Sequence, residues 1–313
     1  MIETQNLSKR YGRIQAVDDV SFRVEPGQVL GFLGPNGAGK STTMKMIAGF
    51  LTPSSGSAKV CGFDVREQSI QARRELGYLS EGAPSYGEMT VWGFLNFIAD
   101  VRGLQGAQRR ERLDDAVGRL QLGGVLMQVI DTLSKGFRRR VGLAQAILHD
   151  PRVLILDEPT DGLDPNQKHE VRSLIQSMAA QRTIVISTHI LEEVNAVCSR
   201  AIIIASGRVL ADSTPAELEA RSRYHGAVSL TTPEPLAVRD GLLRLEGVAQ
   251  GEIDPQDGRI TAFPRAGQKI FEQIGEFLRS QSVPVSEVQL ERGRLDEVFR
   301  SITQAAQPAK EAA

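Results

Sequence analysis

A run of small residues ending in Lys-Ser-Thr contains the side chains best suited to hold a chain of phosphates. It occupies residues 34–42 and reads Gly-Pro-Asn-Gly-Ala-Gly-Lys-Ser-Thr. Small residues let successive backbone N–H groups point at one anion, and the lysine adds a mobile positive charge for the outer phosphates. The serine hydroxyl can ligate Mg²⁺. We predict a loop that binds a nucleotide and Mg²⁺ through Gly34, Pro35, Asn36, Gly37, Ala38, Gly39, Lys40, Ser41 and Thr42.

Two adjacent carboxylates, Asp157 and Glu158, follow an apolar run at 153–156. In a parallel sheet, ligands bind at the carboxyl ends of the strands. Asp157 can hold Mg²⁺ through water, and Glu158 can act as a base on a water molecule in line with a γ-phosphate. Taken alone, the pair would favour a strand that ends in a solvated acidic turn. Downstream of a phosphate-binding loop it favours ATP hydrolysis, with Glu158 as the catalytic base.

The elements that must position these groups alternate between strand and helix. An apolar strand at 28–33 leads into the loop, and a helix at 40–50 leaves it. Phosphate binding needs this context, because a helix N-terminus adds free N–H groups and its dipole. Strands at 153–156 and 183–187 enclose a helix at 165–180, which implies a parallel sheet with crossover helices. The predicted fold class is therefore α/β.

Other segments complete a first domain at residues 1–220. Two strands at 2–7 and 16–24 precede the loop, and we predict them to be antiparallel. Apolar residues at helical spacing between 89 and 133 indicate an all-helical insertion, at about residues 84–150. The insertion interrupts the α/β domain between its early and late strands.

A different pattern begins after residue 220. Residues 227–303 are predicted to form strands and helices in the order β-α-β-β-α-β, with one extra helix. The two middle strands flank Asp257-Gly258, a hairpin-turn dipeptide. That order suggests a small ferredoxin-like α+β domain, which we expect to serve regulation or dimerisation. The Ala-rich tail at 304–313 is predicted to be disordered.

Composition narrows the functional classes. The net charge is −1, so no strong field favours nucleic acid or an anionic membrane as a partner. The longest apolar runs have the length of strands and fall short of the roughly 20 residues that span a bilayer. Cys61 and Cys198 form no metal-spaced pair, and the N-terminus lacks the apolar core of a signal peptide. We expect a cytoplasmic protein with reduced cysteines and no nucleic-acid partner.

Further short motifs lie in a fixed order along the first domain. They are Tyr11 in a predicted loop at 9–12, Gly77-Tyr78-Leu79-Ser80-Glu81, Leu133-Ser134-Lys135-Gly136-Phe137, Gly162-Leu163-Asp164-Pro165 and Thr188-His189. The motif at 133–137, which contains Ser134, precedes a helix predicted to begin near Arg138. Together with the loop and the carboxylates, the motifs resemble the ATP-binding subunit of an ABC transporter. The resemblance covers Ile2 to about Glu219.

The resemblance implies a role for each matching residue. Tyr11 would stack on adenine, and His189 would contact the γ-phosphate as the switch histidine, although alone they would be interpreted as a packed turn aromatic and a structural histidine. Asp164 matches the loop that links two active sites. Ser134 and Gly136 match the signature residues that bind the γ-phosphate from across a dimer. The Mg²⁺ ligands implied are Ser41, Glu81 and Asp157.

Three positions depart from the family pattern. Lys135 stands where the second signature glycine is usual, Phe137 where glutamine is usual, and Glu81 where the γ-phosphate-sensing loop has glutamine. Glutamate keeps an oxygen that can ligate Mg²⁺, so we expect hydrolysis to be retained. With Leu-Asp-Glu-Val-Phe at 295–299, these departures resemble a bacterial exporter subfamily that includes gliding-motility and multidrug-type ATPases. The arginines at 138–140 are interpreted as a solvated helix start.

The resemblance also implies partners. The ATPase would work as a head-to-tail dimer with composite ATP sites, either as a homodimer or paired with a similar subunit. It would drive a separately encoded integral membrane permease, in the direction of export, from the inner face of the cell membrane. One rival is a soluble ABC ATPase that acts on nucleic acid or ribosomes, although the long coiled coils or second ATPase half of such proteins are lacking. Another is a ligand-sensing regulator that uses its second domain.

Turn-forming residues follow Glu81 at 82–87 and predict a hinge at the start of the helical insertion. A residue that touches Mg²⁺ and sits on a hinge can convert γ-phosphate binding into rotation of the insertion. Tyr86, Met89 and Trp92 would then lie near a groove for a cytoplasmic helix of the permease. The alternative is that Glu81 is a solvated strand end and the aromatic residues belong to the core.

Overall fold

The computed structural model describes residues 1–83 and 85–305, which form two compact units. The first unit comprises Met1–Thr214 and the end of the last helix from Ile302, and the second comprises Pro215–Ser301. Residues 306–313 of the tail predicted to be disordered lie outside the described residues, as does Pro84 of the predicted hinge. In the described part of the chain, no helix combines the length and the apolar character needed to cross a membrane.

The first unit alternates strands and helices. Its strands are β1 (Ile2–Tyr11), β2 (Ile14–Val24), β3 (Val29–Leu33), β4 (Ser55–Val60), β5 (Phe63–Asp64), β6 (Leu76–Leu79), β7 (Val153–Asp157), β8 (Thr183–Thr188), β9 (Arg200–Ala205) and β10 (Arg208–Ser213). Its helices are α1 (Lys40–Ile47), α2 (Ser69–Arg74), α3 (Val91–Val101), α4 (Gly106–Arg119), α5 (Lys135–Ile147), α6 (Pro165–Ala179) and α7 (Leu191–Val197), with 3-10 turns at Gly123–Val125 and Ile130–Thr132.

The central sheet of this unit has the strand order β10-β9-β3-β8-β7-β6. Strands β9, β3, β8, β7 and β6 pair in parallel, and β10 adds an antiparallel edge. A second sheet, with the order β2-β1-β4-β5, is antiparallel throughout. The predicted α/β class, the parallel core and the antiparallel N-terminal strands are therefore confirmed.

The strands of the parallel sheet are buried on both faces, which explains why their sequences are continuous apolar runs. Successive side chains of a strand point to opposite faces. Leu154 and Leu156 of β7 accordingly belong to the core that includes the helical insertion. Val153 and Ile155 belong to a second core, formed with α1 and the antiparallel sheet. The sheet thus holds its carboxyl edge between two packed layers.

The helical insertion consists of α3, α4, the two 3-10 turns and α5. Thr90 caps α3 by accepting a hydrogen bond from the Gly93 N–H at 3.0 Å. The predicted insertion at about 84–150 was correct in its helical character. Helix α5 begins at Lys135, however, three residues before the predicted start near Arg138. The Ser134 hydroxyl caps it by accepting from the Phe137 N–H at 3.3 Å.

Two other element ends differ from the sequence-based expectation. Strand β1 continues to Tyr11, so residues 9–11 are the end of a strand and not a loop. The strand extends because Arg10 and Tyr11 still pair with Gln15 and Ile14 of β2. Helix α1 ends at Ile47, before the predicted end at residue 50, and Gly49 follows with φ of +72°. A positive φ ends a helix, and glycine adopts it without strain.

The second unit contains α8 (Pro215–Glu219), β11 (Val228–Thr231), α9 (Pro235–Leu242), β12 (Val248–Ile253), β13 (Ile260–Pro264), α10 (Phe271–Ser280), β14 (Glu287–Leu290) and α11 (Leu295–Ala305), although the last residues of α11 group with the first unit. Its antiparallel sheet has the order β12-β13-β11-β14, the order of a ferredoxin-like fold. The observed division follows Thr214, earlier than the predicted boundary at 220–227, because α8 groups with the second unit.

Candidate functional site

The loop between β3 and α1 is closed by its own lysine. The Lys40 ammonium donates hydrogen bonds to the carbonyl oxygens of Gly34, at 2.7 Å, and of Pro35, at 3.2 Å. Gly39 precedes α1 with φ of +104°, and a Cβ there would lie 2.5 Å from the Ala16 carbonyl oxygen. Only glycine tolerates both the dihedral angle and the contact. The predicted loop thus has the curled backbone that an anion-binding site requires.

The charge of Lys40 faces a group of carboxylates. Its side chain is buried, and burial lowers its pKa. The carboxylates of Glu158, Asp157 and Glu81 act in the opposite direction and favour the charged lysine. These three residues are separated by up to 77 positions in the sequence, yet the fold brings them all within electrostatic reach of the loop.

Asp157 ends β7 with its side chain fully buried. Its Oδ1 accepts hydrogen bonds from the Ser41 hydroxyl, at 3.3 Å, and from the Ser187 hydroxyl. Its Oδ2 is buried without a hydrogen-bond partner. A buried carboxylate oxygen with no donor suits a hard cation, and Mg²⁺ is bound by one or two protein oxygens with phosphates and water. Ser41 and Asp157 therefore fit Mg²⁺ beside the phosphate loop.

Glu81, the third implied metal ligand, is exposed at the end of the segment that follows β6. Within residues 1–83 and 85–305, no group of three His, Cys, Asp or Glu side chains is placed to hold a metal ion. The structure consequently brings Glu81 near Lys40 without placing it in a protein-only metal site.

Glu158 and His189 meet at the carboxyl edge of the sheet. Oε1 of Glu158 lies 3.0 Å from Nδ1 of His189, although the residues follow different strands. The Glu158 backbone N–H donates to the Ser187 carbonyl at 3.0 Å, which extends the pairing of β7 with β8 by one bond. Glu158 has φ of +50°, an uncommon value for a residue with a side chain, and such backbones concentrate at functional sites.

The signature segment and the loop before α6 also lie side by side. Asp164 caps α6 by accepting from the Gln167 N–H at 2.9 Å. A Cβ at Gly136 would lie 2.5 Å from Oε1 of Gln167, so Gly136 packs against the first turn of α6. Ser134 is exposed, at the N-terminus of α5. The structure thus brings Ser134, Gly136 and Asp164 close together. In the described part of the chain, no hydrogen bond joins these three residues to Lys40 or to its partners.

Tyr11 lies at the end of β1 with 49% of its surface exposed. The Lys9 ammonium lies 5.2 Å from its ring centroid. In the described part of the chain, no hydrogen bond joins Tyr11 to the phosphate loop. Its ring is accessible for stacking, and its predicted role remains a prediction.

A cavity of about 1300 Å³ opens beside Glu81. Its walls are basic and apolar, and they include Lys45, Phe50, Ile70, Arg73, Arg74, Tyr78, Ile98, Val101 and Arg102. Tyr86 and Trp92, which we expected near such a groove, are exposed but do not line this cavity. Tyr86 packs instead against Phe97, with ring centroids 5.4 Å apart. The cavity is therefore lined by the C-terminal end of α3 and by residues of α1, of α2 and of the segment between them.

The arginines at 138–140 were misinterpreted as a solvated helix start. Arg139 and Arg140 are buried, and Arg140 forms an ion pair with Glu170. Because α5 begins at Lys135, these positions fall in its second turn, where they face inward. Burial lowers the pKa of Arg139, and the carboxylates of Asp161, Glu158, Asp157 and Glu81 oppose that shift.

Sequence reasoning missed two residues that touch the site. Ser187, the donor to Asp157, lies inside an apolar strand and has no motif around it. Glu193 lies on α7 and is 2% exposed. It accepts hydrogen bonds from the hydroxyls of Thr160 and Thr188. The sequence carries no signal that distinguishes Glu193, which is buried, from Glu192, which is exposed.

Comparisons with known proteins agree with this geometry. A family model described as ABC transporter matches residues 17–161. The probable multidrug ABC transporter ATP-binding protein YbhF of Escherichia coli (strain K12) is 40% identical over 223 residues, which cover 71% of this chain and 38% of that protein. The daunorubicin/doxorubicin resistance ATP-binding protein DrrA of Streptomyces peucetius is 33% identical over 316 aligned positions, which cover 96% of this chain and 92% of that protein.

A solved structure shares the fold over most of the chain. An ATP binding subunit of an ABC transporter aligns with a TM-score of 0.66 and 32% sequence identity. The alignment covers 71% of this chain and 92% of the other.

Proposed function

The chain belongs to the ATP-binding proteins of ABC transporters, and we propose that it hydrolyses ATP to drive a separate membrane permease. One observation carries this proposal. The buried Lys40 of the phosphate loop lies near Asp157, and directly after Asp157 the Glu158 carboxylate contacts His189 at 3.0 Å. The residues that we propose for phosphate binding, for metal binding and as the general base thus lie at one edge of the sheet.

In the proposed mechanism, the backbone N–H groups of residues 36–42 and the Lys40 ammonium bind the phosphates of ATP. Ser41 and Asp157 would hold Mg²⁺, which neutralises part of the phosphate charge when bound. The Glu158 carboxylate takes a proton from a water molecule while the water oxygen attacks the γ-phosphorus. The bond from that phosphorus to the oxygen bridging to the β-phosphate breaks, and ADP leaves with inorganic phosphate. His189, 3.0 Å from Glu158, would hold that carboxylate in place and would contact the γ-phosphate.

We propose that the working form is a dimer with composite ATP sites. Ser134 is exposed at the N-terminus of α5, where free N–H groups and the helix dipole favour an anion. A second subunit would present its bound γ-phosphate to Ser134 and Gly136, while Asp164 beside them would link the two sites. Either a second copy or a similar ATPase subunit could fill this role.

The partner proposed for the cavity beside Glu81 is a cytoplasmic helix of the permease. The cavity combines the apolar Phe50, Ile70 and Val101 with four basic residues, Lys45, Arg73, Arg74 and Arg102. In the described part of the chain, none of these four forms an ion pair with a carboxylate. A helix with an apolar ridge and acidic flanks would complement the cavity. Through it, the protein would work at the inner face of the cell membrane.

Export is the direction we propose. The E. coli relative is named as a probable multidrug transporter protein and the S. peucetius relative as a drug resistance protein. The substrate itself would be held by the permease.

The proposal is tested by Glu158→Gln, which keeps the shape of the side chain and removes the base. We expect the variant to bind ATP with unchanged affinity, to hydrolyse it ~10²–10⁴-fold more slowly, and to accumulate as an ATP-bound dimer. Nucleotide titration, single-turnover hydrolysis and light scattering measure these outcomes. The matched control is Glu111→Gln, an exposed glutamate on α4. Near-normal turnover by Glu158→Gln would remove Glu158 from its role.

A further inference from the structure

A buried carboxylate joins the two loops that carry Glu158 and His189. Glu193 on α7 is 2% exposed, whereas its neighbour Glu192 is exposed. One Glu193 oxygen accepts a hydrogen bond from the Thr160 hydroxyl, and the other accepts one from the Thr188 hydroxyl at 2.8 Å. Thr160 and Thr188 are themselves buried. Both oxygens of one side chain are therefore bound to different segments.

Each threonine lies next to a proposed site residue. Thr160 is two residues beyond Glu158, in the turn after β7. Thr188 ends β8 and directly precedes His189. The Thr188 hydroxyl also accepts a hydrogen bond from the Ile190 N–H at 3.0 Å, so it ties the backbone on both sides of His189. Glu193 consequently bridges the two loops from beneath, while Glu158 and His189 meet at their surface.

We propose that Glu193 is a positioning residue for ATP hydrolysis, holding Thr160 and Thr188 so that Glu158 and His189 meet in reactive geometry. The inference rests on the function proposed above. Glu193 touches neither nucleotide nor water in this role, and it acts only through the two loops.

The chemistry of the bridge requires a carboxylate. Ionised glutamate offers two acceptor oxygens, and the two threonine hydroxyls are its donors. Glutamine keeps one acceptor but replaces the other with a donor. Its NH₂ group would then face either Thr160 or Thr188, whose hydroxyl proton would lose its acceptor. Glutamine would therefore fill the space and loosen one of the two loops.

Burial makes the bridge sensitive to such a change. Desolvation raises the pKa of Glu193, whereas the hydrogen bond from Thr188 and the charges of Arg172, Lys168 and His189 lower it. The carboxylate is thus held in a nearly dry site by the same hydrogen bonds that hold the loops. Small misplacements of reacting groups cost large factors in rate. The hydrogen bonds of Glu193 go to Thr160 and Thr188 and not to the phosphate loop, so we expect binding of ATP to be little affected.

The test compares Glu193→Gln with Glu192→Gln in the full chain. For Glu193→Gln we expect kcat to fall roughly 10- to 100-fold while the dissociation constant for ATP changes by less than about 2-fold. Glu192→Gln should leave both unchanged, because its side chain is exposed. A purely structural role would instead lower ATP affinity and thermal stability together with kcat. That result, or an unchanged kcat in folded Glu193→Gln, would overturn the inference.

Isosteric removal of the donors gives a second test, should Glu193→Gln fail to fold. Thr160→Val and Thr188→Val each remove one hydroxyl and keep the side-chain volume. Each should lower kcat with ATP affinity retained. Where Glu193→Gln folds, combining it with Thr160→Val should cost much less than the product of the two single effects, because Thr160 acts through Glu193. Independent, multiplying effects would contradict the bridge.

The same assays separate failure of the bridge from failure of the proposed function. If the wild-type chain hydrolyses ATP and Glu158→Gln does not, the proposed function stands whatever Glu193→Gln does, and only the bridge is at risk. If hydrolysis does not depend on Glu158, the proposed function and the bridge are both overturned.

Discussion

The carboxyl edge of the central sheet in the first unit, with the phosphate loop, is called the nucleotide edge below. It differs from the core of the second unit in the kind of side chain that is buried. At the nucleotide edge, polar side chains are buried: Asp157, Lys40 and Glu193 have almost no exposed surface, and Glu158 has a positive φ. In the second unit, the central core is formed by apolar residues from the sheet, α9 and α10. Its ion pairs, such as Arg259 with Glu287, lie at the surface.

The two regions therefore differ in what their buried residues contribute to stability. Burying charged groups and holding an unusual backbone both cost stability, and the cost persists only where the surroundings enforce it. At the nucleotide edge, these costs in stability accompany the grouping of several polar side chains around the proposed phosphate site. The second unit has an ordinary apolar core that favours stability, and we expect it to contribute to function through its surface. The two regions should therefore respond differently to mutation.

The largest expected effect is on the stability of the second unit alone. Ile274→Ala deletes a fully buried side chain of α10 and should lower the free energy of unfolding of this unit by about 2–5 kcal/mol. Scanning calorimetry would detect its earlier transition, and ATP affinity below that transition should be unchanged. Phe271→Ala, at an exposed position of the same helix, is the control. Loss of ATP affinity in still-folded Ile274→Ala would contradict the expectation that the two regions respond independently to mutation.

The next effect belongs to the nucleotide edge. Lys40→Ala removes the charge that the loop closes around, and it leaves the Gly34 and Pro35 carbonyls without their donor. ATP affinity should fall about 10- to 100-fold, as expected for hydrogen bonds to a charged group, while unfolding of the second unit is unaffected. Nucleotide titration measures it against Lys59→Ala, an exposed lysine on β4. Equal ATP affinities of Lys40→Ala and Lys59→Ala would contradict the proposal that Lys40 binds the phosphates of ATP.

The smallest effect tests how far the nucleotide edge extends. Glu81→Gln should keep hydrolysis, because either side chain offers an oxygen. Glu81→Ala should reduce permease-stimulated hydrolysis more than basal hydrolysis, by roughly 2- to 10-fold. The assay uses membranes reconstituted with the permease, and Glu67→Ala serves as the exposed control. Unchanged rates and unchanged export in Glu81→Ala would confine the site to the loop and the carboxylates.

Local patterns predicted the phosphate loop, the strand that ends in Asp157 and the alternation of strands and helices. Each depends on neighbouring residues, and Gly34 to Thr42 are consecutive. Even the start of α5 was predictable in principle, since Ser134 is a favourable cap, although the predicted start near Arg138 was three residues late.

What escaped prediction depends on contacts between distant segments. Glu193 and Glu192 are indistinguishable in composition, and only the packing of α7 buries one of them. Arg139 was interpreted as a solvated charge, but the register of α5 buries it, and the charge of Asp161 acts on it. The lining of the cavity beside Glu81 combines α1, α2 and α3, so no single stretch of sequence could identify it.

The order of the central sheet has a consequence for biosynthesis. Strand β3, which leads into the phosphate loop, lies between β8 and β9, and its partners begin only at Ile184 and Arg200. A ribosome must therefore synthesise about 150 further residues before β3 can enter its sheet. Throughout that interval the apolar residues 29–33 lack their strand partners, which raises the aggregation risk of the nascent chain.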